Sequence, residues 1–376
     1  MSIRFTVVCM LVFCTIALAS DPVASVDFKG GAQGRILVNA KINDRGPFPF
    51  LFDTGSVNII SLDLANQLGA KVSGKRTMAA FGGPVEAASA VLDSIKLGAL
   101  TMGRTEVLAI GGGPFTKGGP DGMLGWEFLS KLVVEVDYEH GRLTFYVPGK
   151  YSYAGGGVRV PMTVHGHNMM AIPGEVFGAT ASIQLDSGSE GSLRLFEKFV
   201  REHDLHSKLE AVTGYGFGGL TRAMVMRAPA LTIGGFTIKS PIVYLSLDQG
   251  GIEAGASDGN MGGPLLREFT CVYDVPHSSF YLEPNAWFGK GELADRSGLV
   301  LDTRGGSAKV LFVYPGSPAA QAGLTAGDEL ADVNGEALSD NQWHDLLDDA
   351  SGATVRLKVK HNGRVDNIKF ILRDYL

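Results

Sequence analysis

Phe50 to Ser56 reads FLFDTGS, and Ile183 to Ser189 reads IQLDSGS. In each stretch an apolar, strand-like run leads into an Asp-Thr/Ser-Gly triplet, and the two acids, Asp53 and Asp186, are 133 residues apart (186 − 53). A single triplet of this kind is weak evidence, because Asp in a turn often caps its own backbone. Two triplets in equivalent settings suggest instead that a larger unit is repeated.

Further landmarks recur in the same order at almost the same spacing: AFGG (80–83) with GFGG (216–219), and DGMLG (121–125) with DGNMG (258–262). Several landmarks at a nearly constant offset indicate two copies of one structural unit. We place the first copy at residues 34–148 and the second at residues 158–284. The segment between them, GKYSYAGGG (149–157), has the glycine-rich composition of a flexible linker.

Each copy reads mainly as short strands, because β-branched and apolar runs alternate with glycine, of which the chain has 51. Helix signals are few and short, and the best candidates are residues 62–68, 126–131 and 193–203. The sequence therefore predicts a mainly β fold with two small lobes, followed by a smaller α+β domain.

Two carboxylates that face each other across a cleft cannot both ionise easily, so the pair holds one proton. Such a pair supplies an acid and a base for attack of water on a carbonyl, and it needs no metal or cofactor. The hydroxyls of Thr54 and Ser187 can fix the opposite loop, and Gly55 and Gly188 allow the backbone to approach the acids closely. Asp53 and Asp186 are therefore the candidate catalytic residues.

These features resemble the pepsin and retropepsin family of aspartic proteases, here as two lobes in one chain. Asp53-Thr54-Gly55 and Asp186-Ser187-Gly188 match the two catalytic triplets of that family. Met123-Leu124-Gly125 and Asn260-Met261-Gly262 look like its hydrophobic-hydrophobic-glycine element, from which Asn260 departs. The resemblance implies a two-lobed acid protease fold and hydrolysis of peptide bonds in an extended polypeptide.

The resemblance also implies one flap per lobe, closing over the substrate. The candidate flap tips are Phe81-Gly82-Gly83 and Phe217-Gly218-Gly219. For the two phenylalanines, packing on the lobe as ordinary hairpin aromatics is an equally good interpretation.

Residues 290–376 resemble a bacterial PDZ domain, with GSPAAQAGLTAGDEL followed by VNG and a helix-like segment at 342–350. Such domains bind a peptide C-terminus by strand addition and capture its carboxylate on backbone N–H groups. The resemblance places this site at Gly298, Leu299 and Val300. An alternative is a module that packs on the protease lobes and binds nothing.

Residues 1–20 have the pattern of a secretory signal peptide, with Arg4 ahead of an apolar run and small residues near its end. We therefore expect export to the periplasm or the medium, with no stable membrane span once the signal is removed. Cys271 is the one cysteine beyond this segment, and its apolar setting favours a buried thiol. The net charge of −6 and the lack of a basic cluster argue against nucleic acid as a partner.

A second interpretation of the whole chain is a protease fold that has lost activity and serves as a peptide-binding adaptor. The presence of both acids argues against it. A serine or zinc hydrolase finds little support, because the sequence has no HExxH motif, its eight histidines show no ligand spacing, and its one GxSxG pattern, GASDG (255–259), overlaps the repeated landmark DGNMG. We therefore expect polypeptide substrates, peptide C-termini at the PDZ domain and no metal.

Overall fold

The computed structural model describes residues 20–30, 34–113, 115, 119–247, 255–291, 295–303, 308–336, 351–361 and 363–376. Residues 1–19 of the predicted signal peptide lie outside these residues. The helix-like segment 342–350 also lies outside them. The described chain is mainly β, which confirms the predicted fold class. Within the described ranges, no helix is both long and apolar enough to cross a bilayer.

The first part of the chain forms β1 Ala24–Asp27, β2 Lys29–Gly30, β3 Ile36–Ile42, β4 Arg45–Phe52, β5 Ile59–Ser61, α1 Leu62–Leu68, β6 Lys71–Met78, β7 Val85–Leu92, β8 Ile95–Leu97, β9 Leu100–Met102, β10 Thr105–Ile110, β11 Gly122–Leu124, α2 Trp126–Leu129, β12 Val133–Asp137 and β13 Arg142–Tyr146. The second part forms β14 Val158–Pro161, β15 Thr163–His165, β16 Met169–Val176, β17 Ala179–Asp186, β18 Leu193–Leu195, α3 Glu197–Glu202, β19 Glu210–Gly216, β20 Gly219–Arg227, β21 Ala230–Ile233, β22 Phe236–Lys239, β23 Ile242–Ser246, β24 Gly259–Gly262, α4 Gly263–Leu266, β25 Phe269–Asp274 and β26 Ser279–Pro284. The C-terminal part forms β27 Leu299–Asp302, β28 Ala308–Val313, α5 Pro318–Gln321, β29 Glu329–Val333, β30 Thr354–His361 and β31 Arg364–Ile371.

The two copies of the repeat build sheets with the same strand order. The first sheet runs β6-β7-β10-β5-β11-β4-β3-β8-β9, with β2 added to β3. The second runs β19-β20-β23-β18-β24-β17-β16-β21-β22, with β15 added to β16. Each strand of one sheet therefore has a counterpart in the other, and we call the two units the first lobe and the second lobe.

A third sheet joins the lobes. Its order is β1-β13-β12-β25-β26-β14, so each lobe contributes a hairpin and the two hairpins meet where β12 pairs antiparallel with β25. The shared sheet and the faces of both lobes bury one continuous apolar core, in which the rings of Phe52 and Phe145 lie 5.9 Å apart. Cys271 is fully buried in β25, where burial raises the pKa of its thiol.

Local sequence explains the elements that carry this core. In β3, Ile36, Val38, Ala40 and Ile42 are buried while the residues between them are more exposed, as expected for a strand with one face in the core. Helix α1 begins where the Ser61 hydroxyl accepts a hydrogen bond from the N–H of Leu64 (3.1 Å).

One element differs from the sequence-based prediction. Residues 193–203 are not a single helix, because Leu193–Leu195 forms strand β18 and the helix α3 spans Glu197–Glu202. Leu193 and Leu195 are buried whereas Arg194 between them is half-buried, which is the period of a strand. The similar helix preference of Leu and Arg had hidden this alternation.

The C-terminal part is a separate five-stranded sheet in the order β27-β28-β29-β30-β31 with its own small core. Its outer side packs on the second lobe, where Tyr314, Phe312 and Val300 share a cluster with Ala211 of β19 and Val225 of β20. The backbone carbonyl of the final residue, Leu376, also accepts a hydrogen bond from Nε of Arg227 (3.0 Å). No comparable contact is seen on the described surface of the first lobe's flap strands.

Candidate active site

Asp53 and Asp186 lie at equivalent ends of two buried strands. β4 delivers Asp53 and pairs in parallel with β11, and β17 delivers Asp186 and pairs in parallel with β24. The apolar residues ahead of the acids, such as Phe52 and Leu185, are fully buried. The acids themselves are 6% and 7% exposed, so both carboxyl groups are largely removed from water.

Four hydrogen bonds tie the two acid-bearing loops together. The Thr54 hydroxyl donates to the carbonyl of Leu185 (3.0 Å) and accepts from the N–H of Ser187 (2.9 Å). The Ser187 hydroxyl reciprocates, donating to the carbonyl of Phe52 (3.0 Å) and accepting from the N–H of Thr54 (3.1 Å). All of these groups are buried, so this network holds the two carboxyl groups in a fixed relation.

The two carboxyl groups lie close enough together for each to affect the pKa of the other. Burial, followed by the charge of Asp186, raises the pKa of Asp53 well above its usual range. Burial also raises the pKa of Asp186, but a hydrogen bond from the side chain of Asn260 opposes the rise. The pair therefore retains a proton at a pH where isolated carboxyls have lost theirs.

The glycines of the two triplets give the acids room. A Cβ atom added to Gly55 would lie 2.6 Å from Cγ of Asp186, and one added to Gly188 would clash in the same way with the carboxyl group of Asp53. Each glycine N–H donates to the acid of its own loop, Gly55 to Asp53 (2.8 Å) and Gly188 to Asp186 (3.0 Å). Any side chain at these two positions would push the carboxyl groups apart.

The two flap-tip candidates contact each other. The tip 81–83 joins β6 to β7, the tip 217–219 joins β19 to β20, and the N–H of Gly218 donates to the carbonyl of Phe81 (2.9 Å). A Cβ atom at Gly82 or Gly218 would collide with the backbone of the opposite tip. The tips are thus in direct backbone contact, which only glycine permits.

Each flap phenylalanine packs on the opposite lobe. Phe81 lies 6.3 Å from the ring of Phe196, and the guanidinium of Arg194 sits 5.8 Å from its centre. Phe217 lies 5.6 Å from Phe115 and joins an apolar cluster of the first lobe. Each flap tip therefore spans from its own lobe to the other one.

One buried residue, Asn260, contacts an acid although the sequence analysis did not place it in the site. The amide nitrogen of Asn260 donates to Oδ2 of Asp186 (3.2 Å). In the first lobe, Asn58 receives no such role, because its Oδ1 accepts from the N–H of Gly125 (2.9 Å) and its own N–H donates to Glu127 (2.7 Å). The departure of Asn260 from an otherwise apolar motif was the sequence signal for the first of these contacts.

The loop predicted to capture a peptide carboxylate already holds a carboxylate of this chain. Oδ2 of Asp295 accepts from the N–H groups of Gly298 (2.7 Å) and Leu299 (3.0 Å), and Oδ1 accepts from Ser297 (2.9 Å). Val300 belongs to the cluster that contacts the second lobe. A peptide that used these N–H groups would have to displace the side chain of Asp295.

The described residues offer no group of three or more His, Cys, Asp or Glu side chains that could hold a metal ion. The site consists instead of two acids, two hydroxyls and glycine backbone. Two neighbouring buried carboxyl groups of this kind can share one proton.

Two parts of the chain match known family models. Residues 38–128 match the family model of the aspartyl proteases, and residues 310–361 match that of the PDZ domain. No match was found among curated proteins. Of the solved structures, the aspartic proteinase from Irpex lacteus is similar over 70% of this chain and 98% of its own, with a TM-score of 0.46 and 14% sequence identity.

Proposed function

We propose, on the premise that the chain carries an aspartyl protease domain and a PDZ domain, that it is an exported endopeptidase that hydrolyses peptide bonds in extended polypeptides. Asp53 and Asp186 are the catalytic residues of this proposal. The observation that carries it is the buried pair of neighbouring carboxyl groups, whose loops are fixed by the reciprocal Thr54 and Ser187 bonds.

The reaction uses a water molecule bound between the acids. The ionised acid takes a proton from the water as its oxygen attacks the scissile carbonyl carbon, and the protonated acid gives its proton to the carbonyl oxygen. The resulting gem-diol then collapses, with the C–N bond breaking as the amide nitrogen is protonated. Because the network around Thr54 and Ser187 holds both carboxyl groups in place beforehand, little reorganisation is needed during the reaction.

The flaps support an extended substrate. A polypeptide strand that lies beneath the tips 81–83 and 217–219 finds backbone N–H and C=O groups above it and the acids below it. Since the tips contact each other, they must separate for a chain to enter and close again over it. Phe81 and Phe217 then provide apolar surface on the two sides of the scissile bond.

The PDZ domain is proposed to bind peptide C-termini at Gly298, Leu299 and Val300, with Asp295 released from the loop when a ligand enters. Export follows from the signal-like segment at residues 1–20. A C-terminal ligand on this domain would act next to the second lobe, because the two are packed together.

The test compares Asp53→Asn and Asp186→Asn with the wild-type protein on an unfolded protein substrate. Each substitution keeps the size of the side chain but removes the acid, so we expect kcat/KM to fall at least about a hundredfold. Asp93→Asn, at an exposed site away from the cleft, is the matched control and should retain full activity.

A peptide with a statine-type transition-state mimic should inhibit the wild-type cleavage. Full activity in either acid variant would exclude the proposal. A wild-type protein that binds the peptide but never cleaves would instead establish the adaptor interpretation.

A further inference from the structure

Asn260 is a buried amide at a place where the first lobe has an apolar side chain. It lies in β24, where it pairs with Gln184 of β17 on one side and Arg194 of β18 on the other. Its counterpart in β11 is Met123, which pairs with Leu51 and Ile59. Three apolar residues of the first lobe are therefore replaced by three polar residues in the second.

This replacement breaks the symmetry of the acid pair. Each acid accepts a hydrogen bond from the glycine N–H of its own triplet, Asp53 from Gly55 and Asp186 from Gly188. The side-chain contacts are not, because Asn260 donates to Oδ2 of Asp186 while Met123 has no hydrogen to donate to Asp53. Among the described residues, this is the side-chain hydrogen bond that distinguishes one acid from the other.

The direction of the effect follows from the chemistry of the amide. Its NH2 group is a donor, and a donor stabilises a carboxylate more than a protonated carboxyl group. One proton is shared between two acids, so whichever acid has the extra donor holds the negative charge. The other acid keeps the proton.

We propose that Asn260 is a positioning residue that assigns the two roles in the reaction: Asp186 carries the charge and acts as the base, and Asp53 carries the proton and acts as the acid. The inference rests on the proposed function. In the hydration step, an O–H bond of the water breaks and its proton passes to Asp186 while the water oxygen bonds to the carbonyl carbon. The proton of Asp53 passes to the carbonyl oxygen, so the step is balanced.

Other ionisable groups near the pair do not compete for this role. Tyr138, Tyr273 and Cys271 are buried around it, and burial raises the pKa of each, so all three are neutral over the working range. Arg194 lies on the neighbouring strand, where its side chain donates to Thr213 (2.8 Å) and faces the ring of Phe81.

Packing alone does not explain the presence of Asn260. The residue is 1% exposed, and among the described residues its Oδ1 has no hydrogen-bond partner. An unpaired buried amide oxygen is costly, whereas Met at the same position of the first lobe is accommodated in an apolar cluster. The compensating contact is the one to Asp186. Burial raises the pKa of both acids, and at Asp186 the hydrogen bond from Asn260 opposes that rise.

The test exchanges the two counterpart residues. Asn260→Met removes the donor from Asp186, so the singly charged pair should form only at higher pH. On the acid side of the pH profile, kcat/KM should fall about tenfold relative to its plateau, the loss expected for one hydrogen bond to a charged group. The double exchange Asn260→Met with Met123→Asn should return the acid limb of the kcat/KM profile towards its wild-type position, because Asp53 then has the hydrogen-bond donor.

A second measurement does not depend on turnover. At acid pH both acids are protonated, so the melting temperatures of Asn260→Met and the wild type should differ only by the change in packing. As pH rises and the pair ionises, this difference in melting temperature should increase, because the variant lacks the hydrogen bond to the carboxylate of Asp186. A purely structural role for Asn260 would give the same difference at every pH.

The outcomes separate the two proposals. The proposed role of Asn260 would be wrong if the acid limb of the kcat/KM profile were unchanged and the difference in melting temperature did not depend on pH. Cleavage by the wild type would still support the proposed function. A wild type without activity but with an increasing difference in melting temperature would reject the proposed function and still place the charge on Asp186. If Asn260→Met does not fold, Asn260→Ala serves in both measurements with the same expected directions.

Discussion

The two lobes share the order of their strands but differ in the side chains that surround their acids. Leu51, Ile59 and Met123 of the first lobe form an apolar cluster that Phe217 covers. At the corresponding register positions the second lobe carries Gln184, Arg194 and Asn260. The second lobe is also the one on which the PDZ domain packs.

This difference shows how a repeat can acquire unequal roles. The elements that must be symmetrical, the acid triplets and the hydroxyl network, are equivalent in both copies. The elements that can vary are the residues on neighbouring strands, which adjust the charge of each acid without moving the backbone. Substitutions in the symmetrical elements should therefore affect both lobes equally. Substitutions on the neighbouring strands should affect the lobes unequally.

The largest expected effect is symmetrical. Gly55→Ala and Gly188→Ala each place a methyl group against the carboxyl group of the opposite acid. A displacement of about 1 Å in a catalytic pair can cost about a hundredfold in rate, so kcat/KM should fall by about this factor in both variants. Gly103→Ala, where an added Cβ meets nothing within 4 Å, is the control and should be fully active. A strong loss in only one lobe would mean that the acids are not equivalently placed.

The second effect concerns stability and should be unequal. The pKa of both acids is raised by burial, so the folded protein binds more protons than the unfolded chain between the usual carboxyl pKa and the folded one. Stability therefore falls as pH rises through that window, and replacing an acid with Asn removes the loss. At pH 7 we expect Asp53→Asn to raise the melting temperature by about a few °C.

Asp186→Asn should raise the melting temperature less, because it leaves Asp53 as the remaining buried acid without a side-chain donor. Near pH 3, where both acids are protonated, neither variant should have a higher melting temperature than the wild type. Melting curves across this pH range make the comparison, and equal gains for the two variants would argue that Asn260 does not distinguish the acids.

Sequence alone was sufficient to pair the two triplets and to predict a mainly β fold, because the repeat is marked by short motifs at a constant offset. It was not sufficient to identify the polar cluster of Gln184, Arg194 and Asn260. These residues are distant in the chain, and they become neighbours only through the parallel and antiparallel pairing of β24 with β17 and β18. Register of this kind depends on tertiary packing and leaves little local signal.

The same reason explains two further differences. Arg194 lay within a segment that we interpreted as a helix. The strand that contains it has only three residues, too few for the alternation of buried and exposed side chains to be recognised next to the helix that follows. Asp295 was not recognised as the occupant of the predicted carboxylate loop, since an Asp beside Ser and Gly is typical of any turn.

The smallest expected effect is confined to one hairpin. Tyr314 of the PDZ domain is 5% exposed and packs with Ala211 and Val225, so it supports the flap of the second lobe but not that of the first. Tyr314→Ala should therefore speed amide hydrogen exchange a few-fold in β19 and β20, while exchange in β6 and β7 stays unchanged. Val365→Ala, at a position 57% exposed, is the control and should alter neither flap. Because the flap tips bond to each other through Gly218 and Phe81, faster exchange in both hairpins would show instead that they open as one unit.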